Sequence, residues 1–138
     1  MGQGIRLGEI VEKMNLKNLT PEVDMVEKEV NVPDVNRPAL QLTGFYDRFD
    51  SNRVQIIGNV EYRYVQTLDR EQQEKTFDTL LQHPLPCIVF CRDLVPEDSF
   101  LRKAVKYGVA IFSTVKQTSD FMAEIIRWLN VELAPTIS

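Results

Sequence analysis

The chain has 138 residues, of which 43% are hydrophobic and 26% charged, and this composition supports one globular domain while excluding a disordered or fibrous protein. The 16 basic and 20 acidic residues give a formal net charge of -4 at pH 7, which offers no electrostatic basis for nucleic-acid binding. No apolar run approaches the roughly 20 residues of a membrane-spanning helix, and the amino terminus lacks an apolar signal segment. We therefore expect a soluble, cytoplasmic protein that binds neither nucleic acid nor membranes.

The first third of the chain predicts short, irregular elements. Apolar residues with helical spacing predict a helix over residues 6–14. Short strands are predicted at 16–20 and at 29–35. The second of these contains Pro33, which makes it marginal or places it at the edge of a sheet.

The middle third predicts one strand and two helices. Residues 54–58 form an apolar, β-branched stretch that is typical of a strand. A helical pattern follows, with Asn59 as its N-cap. A second helix contains Phe77 and Leu80 and ends before Pro84.

The last third predicts a regular strand-helix-strand unit. An apolar strand at 87–91 is followed by a helix that begins near residue 96 and stops at Gly108, directly before a strand at 109–113. A crossover of this length favours a parallel pair of strands with a right-handed connection. The expected fold is therefore α/β, with a mixed, mostly parallel sheet flanked by helices.

The final helix has a wide apolar face, which we expect to pack on the sheet as core. Its apolar residues are Phe121, Met122, Ile125, Ile126, Trp128, Leu129 and Leu133. Trp128 lies seven residues after Phe121 and three after Ile125, and this spacing predicts that it is buried with them.

The two cysteines and the single histidine do not form a catalytic or metal-binding set. Cys87 and Cys91 lie four residues apart on one predicted strand, so they are about 13 Å apart, beyond the ~7 Å limit for a disulfide. The same separation prevents them from sharing a zinc ion. We expect buried, free thiols and no bound metal. His83 precedes Pro84 in a turn-like stretch and is expected to be an ordinary loop residue.

Residues 36–59 carry two motifs that resemble the amino-terminal domain of bacterial HPr kinase/phosphorylase. The family stretch Arg-Pro-Gly/Ala-Leu-x-Leu-x-Gly-Phe/Tyr is matched by Arg37, Pro38, Ala39, Leu40, Leu42, Gly44 and Phe45. The stretch Arg-x-Gln-x-x-Gly is matched by Arg53, Gln55 and Gly58. The pair Thr118-Ser119 and the ending Leu133-Ala134-Pro135 also match, so the resemblance covers nearly the whole chain.

The resemblance implies the non-catalytic domain of a bifunctional enzyme that phosphorylates a serine of the carrier protein HPr with ATP and Mg and reverses this with phosphate. This family regulates carbohydrate uptake and carbon catabolite repression, and its known members are homohexamers. The implied partners are HPr, through the parent enzyme, the chain's own carboxyl-terminal kinase domain, and further copies. The fold is also similar to the amino-terminal, uridine-nucleotide-binding domains of the Mur peptide ligases.

In this interpretation residues 1–138 form a single domain, and the P-loop catalytic domain lies outside them. Kinases of this family hold nucleotide with a Gly-x-x-x-x-Gly-Lys-Ser/Thr loop, but none of the six glycines here is followed by Lys. We therefore expect no catalytic residue and no cofactor in this chain, and no phosphotransfer by the chain alone. The ATP and Mg that the resemblance implies belong to the catalytic domain.

A candidate ligand site lies in the segment that carries the resemblance. It consists of Arg37, Gly44, Arg53, Gln55 and Gly58. The planar guanidinium of arginine suits phosphate or carboxylate, and glycines permit close approach of a ligand to the backbone. The alternative function is a stand-alone regulatory module that senses a phosphorylated metabolite or nucleotide. A structural role is also open, in which the arginines pair with acids such as Asp34 and Asp50 and the glycines serve turns.

Overall fold

The computed structural model describes residues 4–134 as an α/β domain with a sheet of five strands and a separate pair of short strands. In chain order the elements are β1 (Ile5–Arg6), α1 (Leu7–Met14), β2 (Lys17–Asn18), β3 (Glu29–Val30), β4 (Val35–Asn36), α2 (Ala39–Leu42), β5 (Val54–Ile57), α3 (Asn59–Gln66), α4 (Arg70–Leu81), β6 (Ile88–Phe90), α5 (Asp98–Tyr107), β7 (Ile111–Ser113) and α6 (Thr118–Glu132).

The five-stranded sheet has the order β2-β7-β6-β5-β4. Strands β4 to β7 are parallel, and β2 runs antiparallel to β7 at one edge. The predicted α/β fold with a mixed, mostly parallel sheet is therefore confirmed, and so is the parallel pairing of β6 and β7 around α5. The similarity to the Mur ligase domains stays a prediction.

Helices cover both faces of the sheet because successive strand residues point to opposite sides. On one face, α1 and α6 pack on β5, β6 and β7 through Ile10, Phe121 and Phe112 among others. On the other face, α4 and α5 contribute Phe77 and Phe100 to a second core. Strands β4 to β7 step across the sheet in one direction, so the intervening connections run over this second face.

The strand predicted at 29–35 is wrong as a single element. The structure divides it into β3, which pairs with β1 outside the main sheet, and β4, which pairs with β5. Pro33 lies between them and cannot donate to a strand ladder, which gives the physical reason for the break. The helix predicted to be capped by Asn59 instead has Gly58 as its N-cap.

Trp128 packs against the core, as its place on the apolar face predicts, but it is only half-buried. The fully buried stripe of α6 is Phe121, Ile125 and Leu129, each four residues after the last. At about 100° per residue, Trp128 lies roughly 60° from the centre of this stripe. It packs at the margin of the core.

Both cysteines are buried and free, as predicted. Cys87 precedes β6 and Cys91 follows it, and both belong to the core beneath α1 and α6. No helix among residues 4–134 combines the length and apolar character needed to cross a membrane.

Candidate functional site

The carboxyl edge of the parallel strands brings together residues that are distant in sequence. Arg37 follows β4, Gly58 follows β5, Cys91 follows β6, and Thr118 begins α6. In open α/β sheets, ligand sites form outside the carboxyl ends of the strands, so this edge is the first place to look for one. It contains two of the five predicted ligand residues, Arg37 and Gly58.

The guanidinium of Arg37 already forms an ion pair with a buried carboxylate. Glu61 is 3% exposed, and its Oε1 lies 2.7 Å from Nη2 of Arg37. The same Oε1 accepts a hydrogen bond from the backbone N–H of Gly58 at 2.8 Å. Arg37 keeps 35% of its side chain exposed, while its Nε is buried with no partner among the described residues. An anionic ligand at this position would therefore compete with Glu61.

Gly58 makes room for side chains of the protein itself. A Cβ added at Gly58 would lie 2.6 Å from Nη2 of Arg37 and 2.6 Å from Oγ1 of Thr118. The φ of Gly58 is −109°, a value that any residue adopts, so space and not backbone conformation requires glycine here. These two side chains fill the space beside Gly58 that the prediction left for a ligand.

Neither Cys91 at this edge nor Cys87 at the amino end of β6 is a good nucleophile. Burial raises the pKa of Cys91 to about 11, against the smaller opposing effect of a hydrogen bond with Thr118. Burial raises the pKa of Cys87 to about 12. Since the thiolate is the reactive form, both residues are inert at neutral pH. No group of three or more His, Cys, Asp or Glu within residues 4–134 is arranged to hold a metal ion.

Arg53 and Gln55 lie at the amino end of β5, opposite to Arg37 and Gly58. Nη2 of Arg53 is 3.0 Å from Asp50 and 3.9 Å from Asp34, two exposed carboxylates. These are the pairs that the structural alternative predicts. Gln55 is fully buried, accepts from Nδ2 of Asn36 at 2.7 Å and donates to the carbonyl of Arg53 at 2.9 Å. It therefore ties β5 to β4.

Gly44 occupies a third location, at the end of α2. Its φ of +102° falls in the region that favours glycine, and its N–H donates to the carbonyl of Gln41 at 2.9 Å. Gly44 therefore allows the turn that ends α2. The structure distributes the five predicted residues over three places, and their role in ligand binding stays a prediction.

The carboxyl edge also contains Glu61, Thr118 and Cys91, which are not among the predicted ligand residues, although Thr118 lies in one of the matched motifs. The spacing of Glu61, three residues after Gly58, is the spacing of a helix-capping carboxylate and could have indicated its bond to that N–H. Thr118 lies 60 residues from Gly58, and nothing in the local pattern indicates their contact.

A tight turn joins two of the connections at this edge. Arg92 and Asp93 both have positive φ, 59° and 57°, and the N–H of Leu94 donates to the carbonyl of Cys91 at 3.1 Å. Positive φ at both central residues is the signature of a type I′ turn. The N–H groups of Arg92 and Asp93 donate to residues 116 and 114, so the β6–α5 and β7–α6 connections are held together.

Comparison with known proteins gives a consistent result over nearly the whole chain. Residues 5–129 match the family model described as "HPr Serine kinase N terminus". The chain is 55% identical over 134 residues to the HPr kinase/phosphorylase of Lachnoclostridium phytofermentans, covering 97% of this chain and 43% of that relative. It is 37% identical over 132 residues to that of Caldicellulosiruptor bescii, covering 96% and 42%. The chain spans less than half the length of these curated relatives.

Proposed function

Since the chain belongs to the family of HPr serine kinase amino-terminal domains, we propose that it acts as the non-catalytic amino-terminal domain of an HPr serine kinase/phosphorylase. The observation that carries this proposal is the distribution of the match. It covers 97% of this chain but only 43% of the most similar relative quoted above. More than half of that relative, which carries the name of a kinase, therefore lies outside the matched region.

The reaction proposed for the whole enzyme is transfer of a phosphoryl group from ATP to a serine of HPr, and its reversal with phosphate. ATP and Mg would be bound by the catalytic domain. Two features support a non-catalytic role for the present residues. None of the six glycines is followed by Lys, as the phosphate-binding loop requires, and the buried thiols have pKa values raised to about 11 and about 12.

The partners in this proposal follow from the same family membership. They are HPr, which the enzyme would engage as its protein substrate, the catalytic domain that this domain adjoins, and further copies in a homohexamer. The place of action would be the cytoplasm, in the control of carbohydrate uptake and carbon catabolite repression.

A domain exchange with the relative from Lachnoclostridium phytofermentans tests the proposal. The matched 43% of that enzyme is replaced by the present chain, and transfer from labelled ATP to HPr is measured in the presence of Mg. We expect the hybrid to phosphorylate HPr and the 138-residue chain alone to show no transfer. The unmodified relative is the positive control.

Each result of the exchange has a clear meaning. Transfer by the isolated chain would overturn the non-catalytic role. A hybrid that is folded, as judged by a cooperative thermal transition, but cannot phosphorylate HPr would overturn its role as the matching domain. Sedimentation of the active hybrid as a hexamer is the result expected for the proposed assembly, and a monomeric active hybrid would contradict that assembly.

A further inference from the structure

A hollow lies between helices α3, α4 and α5, outside the carboxyl ends of β5 and β6. It opens to solvent beside Gln66 and Glu97, which are two exposed residues. Its walls are apolar and aromatic side chains, namely Ile57, Tyr62, Val65, Phe77, Phe90 and Phe100. We call this space the α3–α5 hollow.

The size of the α3–α5 hollow limits what it can hold. Its free volume is about 50 Å³. This exceeds the ~10–15 Å³ that one water molecule needs, but it is only about a third of the ~150 Å³ of an engineered apolar cavity that binds benzene. The hollow therefore has room for a short aliphatic group and excludes an aromatic ring.

A buried carboxylate contributes one free oxygen to the hollow. Glu61 lines the hollow, and its side chain is 3% exposed. Its Oε1 accepts from the guanidinium of Arg37 at 2.7 Å and from the N–H of Gly58 at 2.8 Å. The other oxygen, Oε2, accepts no hydrogen bond from the described residues, and it is not sealed within the protein as Nε of Arg37 is. Because Glu61 is otherwise buried, a hydrogen-bond donor reaches Oε2 from the hollow.

The aromatic wall is held in place by contacts within the protein. The hydroxyl of Tyr62 donates to the carbonyl of Val95 at 2.7 Å, and its ring meets that of Phe90 at a centroid distance of 6.5 Å. The ring of Phe100 meets those of Phe90 and Phe77 at 5.6 and 5.0 Å. Since the Tyr62 hydroxyl is already used, Oε2 of Glu61 is the polar atom that the interior offers to a ligand.

The charges around the hollow favour a cation. Glu97 at its rim is the N-cap residue of α5, but its side chain makes no capping hydrogen bond and forms no ion pair within residues 4–134. Arg37 and Glu61 neutralise each other, so Glu97 leaves an excess of negative charge. The aromatic rings act in the same direction, because their faces carry a partial negative charge that attracts cations.

We propose that the α3–α5 hollow binds a primary ammonium group carried on a short aliphatic chain. The ammonium donates a hydrogen bond to Oε2 of Glu61, and the methylene groups of the chain contact the apolar wall. Such a group occurs on a free alkylamine and on the lysine side chain of a protein. This site is separate from the proposed phosphotransfer, and the 138-residue chain suffices to test it.

Three compounds with chains of the same length provide the test. Propylamine is a cation at neutral pH, 1-propanol is neutral and propionate is an anion. Binding to the chain is measured by the chemical shifts of methyl groups at constant ionic strength. We expect propylamine to bind with a Kd of about 1–10 mM, as suits so few atoms. It should shift the methyl signals of Ile57 and Val65 but not those of Ile10, which lies in the core on the other face of the sheet.

The neutral and anionic compounds measure the contribution of charge. Propanol should bind about tenfold more weakly than propylamine or worse, because a hydrogen bond between two charged groups is replaced by a weaker one. Propionate should not bind, since it places a second carboxylate beside Glu61.

Two further amines test the size of the ligand and its source. Benzylamine should bind about tenfold more weakly than propylamine or worse, because its ring exceeds the hollow. Nα-acetyl-lysine methylamide carries the same ammonium on a lysine side chain. Tighter binding of this compound than of propylamine assigns the site to a lysine of a protein, and weaker binding assigns it to a free amine.

Variants locate the site. Glu61→Gln should weaken binding of propylamine about tenfold or more, and Glu97→Gln about two- to fivefold, the range of an exposed ion pair. Val65→Met places a longer, flexible side chain in the hollow and should abolish binding. Glu9→Gln is the matched control, because Glu9 is an exposed acid in the first turn of α1, and this variant should bind as the unmodified chain does.

Several results would overturn the proposal. They are failure of propylamine to bind at tens of millimolar, binding of propanol or propionate as tight as that of propylamine, and full binding by the folded Val65→Met variant. The melting temperature of each variant without ligand shows whether it is folded. If Glu61→Gln does not fold, Glu97→Gln and Val65→Met still decide the question, because neither removes the partner of Arg37. None of these results bears on phosphotransfer to HPr by the hybrid enzyme.

Discussion

At the scale of single residues, Gly58 shows how closely the carboxyl edge is packed. An added Cβ would lie 2.6 Å from both Arg37 and Thr118, closer than real Cβ atoms come. We therefore expect Gly58→Ala to lower the free energy of unfolding by about 1–3 kcal/mol, the usual cost of overpacking. Urea denaturation of the purified chain, followed by circular dichroism, measures this.

Gly8 provides the matched control for Gly58. It lies in α1 with nothing within 4 Å of its added Cβ, so Gly8→Ala should be neutral or stabilise the chain by up to about 1 kcal/mol. If both variants were as stable as the unmodified chain, the tight contact between Gly58, Arg37 and Thr118 would be contradicted.

The buried thiols predict a loss of stability in alkaline solution. Cys87 has its pKa raised from 9.0 to about 12 and Cys91 from 9.0 to about 11, so the folded state holds both protons over a range in which the unfolded state releases them. Their contribution is fully present below pH 9 and is lost as the pH rises from 9 towards 12. At pH 10 the loss is about 1 kcal/mol per thiol.

Urea denaturation at pH 8 and pH 10 measures this loss, with Cys87→Ala/Cys91→Ala as the comparison. The double variant should show a smaller decline between the two pH values. Tyr46 remains in it and contributes its own decline, because its pKa is also raised, from 10.0 to about 12. An equal decline in both proteins, or rapid labelling of the native thiols by a disulfide reagent at neutral pH, would contradict their burial.

At the scale of elements, α6 separates a buried stripe from its margin. Leu129 is fully buried and Trp128 is half-buried. Leu129→Ala should therefore cost about 2–5 kcal/mol, as cavity-forming substitutions do. Trp128→Ala should cost less than Leu129→Ala despite the larger side chain removed. Denaturation of the two variants under identical conditions makes the comparison, and the opposite order would place Trp128 in the centre of the core.

Elements that bury continuous apolar runs were predictable from the sequence. Strands β5, β6 and β7 are buried at every position and mostly apolar, because both faces of the sheet are covered. Elements of two to four residues, such as β1 and α2, are too short to show a period, and both were missed. Pro33 was recognised as a disturbance, but only the pairing of distant partners shows that it separates two sheets.

The candidate site was predictable only in part, for a related reason. The motifs predict Arg37 and Gly58 as candidate site residues, and the pairing of Arg53 with Asp50 follows from their local spacing. Which side chain meets Arg37 depends on how β4 and α3 pack, and sequence spacing does not contain that information.

At the scale of the whole molecule, the two ends of the chain depend on each other. The N–H of Ile111 in β7 donates to Oγ1 of Thr20 at 2.9 Å, and β2 pairs with β7. The apolar residues Leu7, Ile10 and Met14 of α1 cover the face of the sheet on which α6 packs. Elements between residues 5 and 20 are therefore part of the core that the last third of the chain completes.

A variant that begins at residue 21 should consequently fail to form a compact native state. We expect it to lose the cooperative thermal transition and to bind the dye ANS, because one face of the sheet becomes exposed to water. Thr20→Val is the milder comparison. It should unfold cooperatively but with a stability lower by about 1–3 kcal/mol, since the buried N–H of Ile111 loses its acceptor. Cooperative unfolding of the truncated chain would contradict this dependence.

The pairing of β2 with β7 also has a consequence during synthesis on the ribosome. Asn18 pairs with Phe112, which is translated about 90 residues later. At roughly 5–20 residues per second, β7 is synthesised about 5–20 s after α1. During that time the apolar face of α1 lacks one of the strands of the sheet that it finally covers. Until β7 has been synthesised, the early residues of the nascent chain lack their final partner strand and remain available to chaperones.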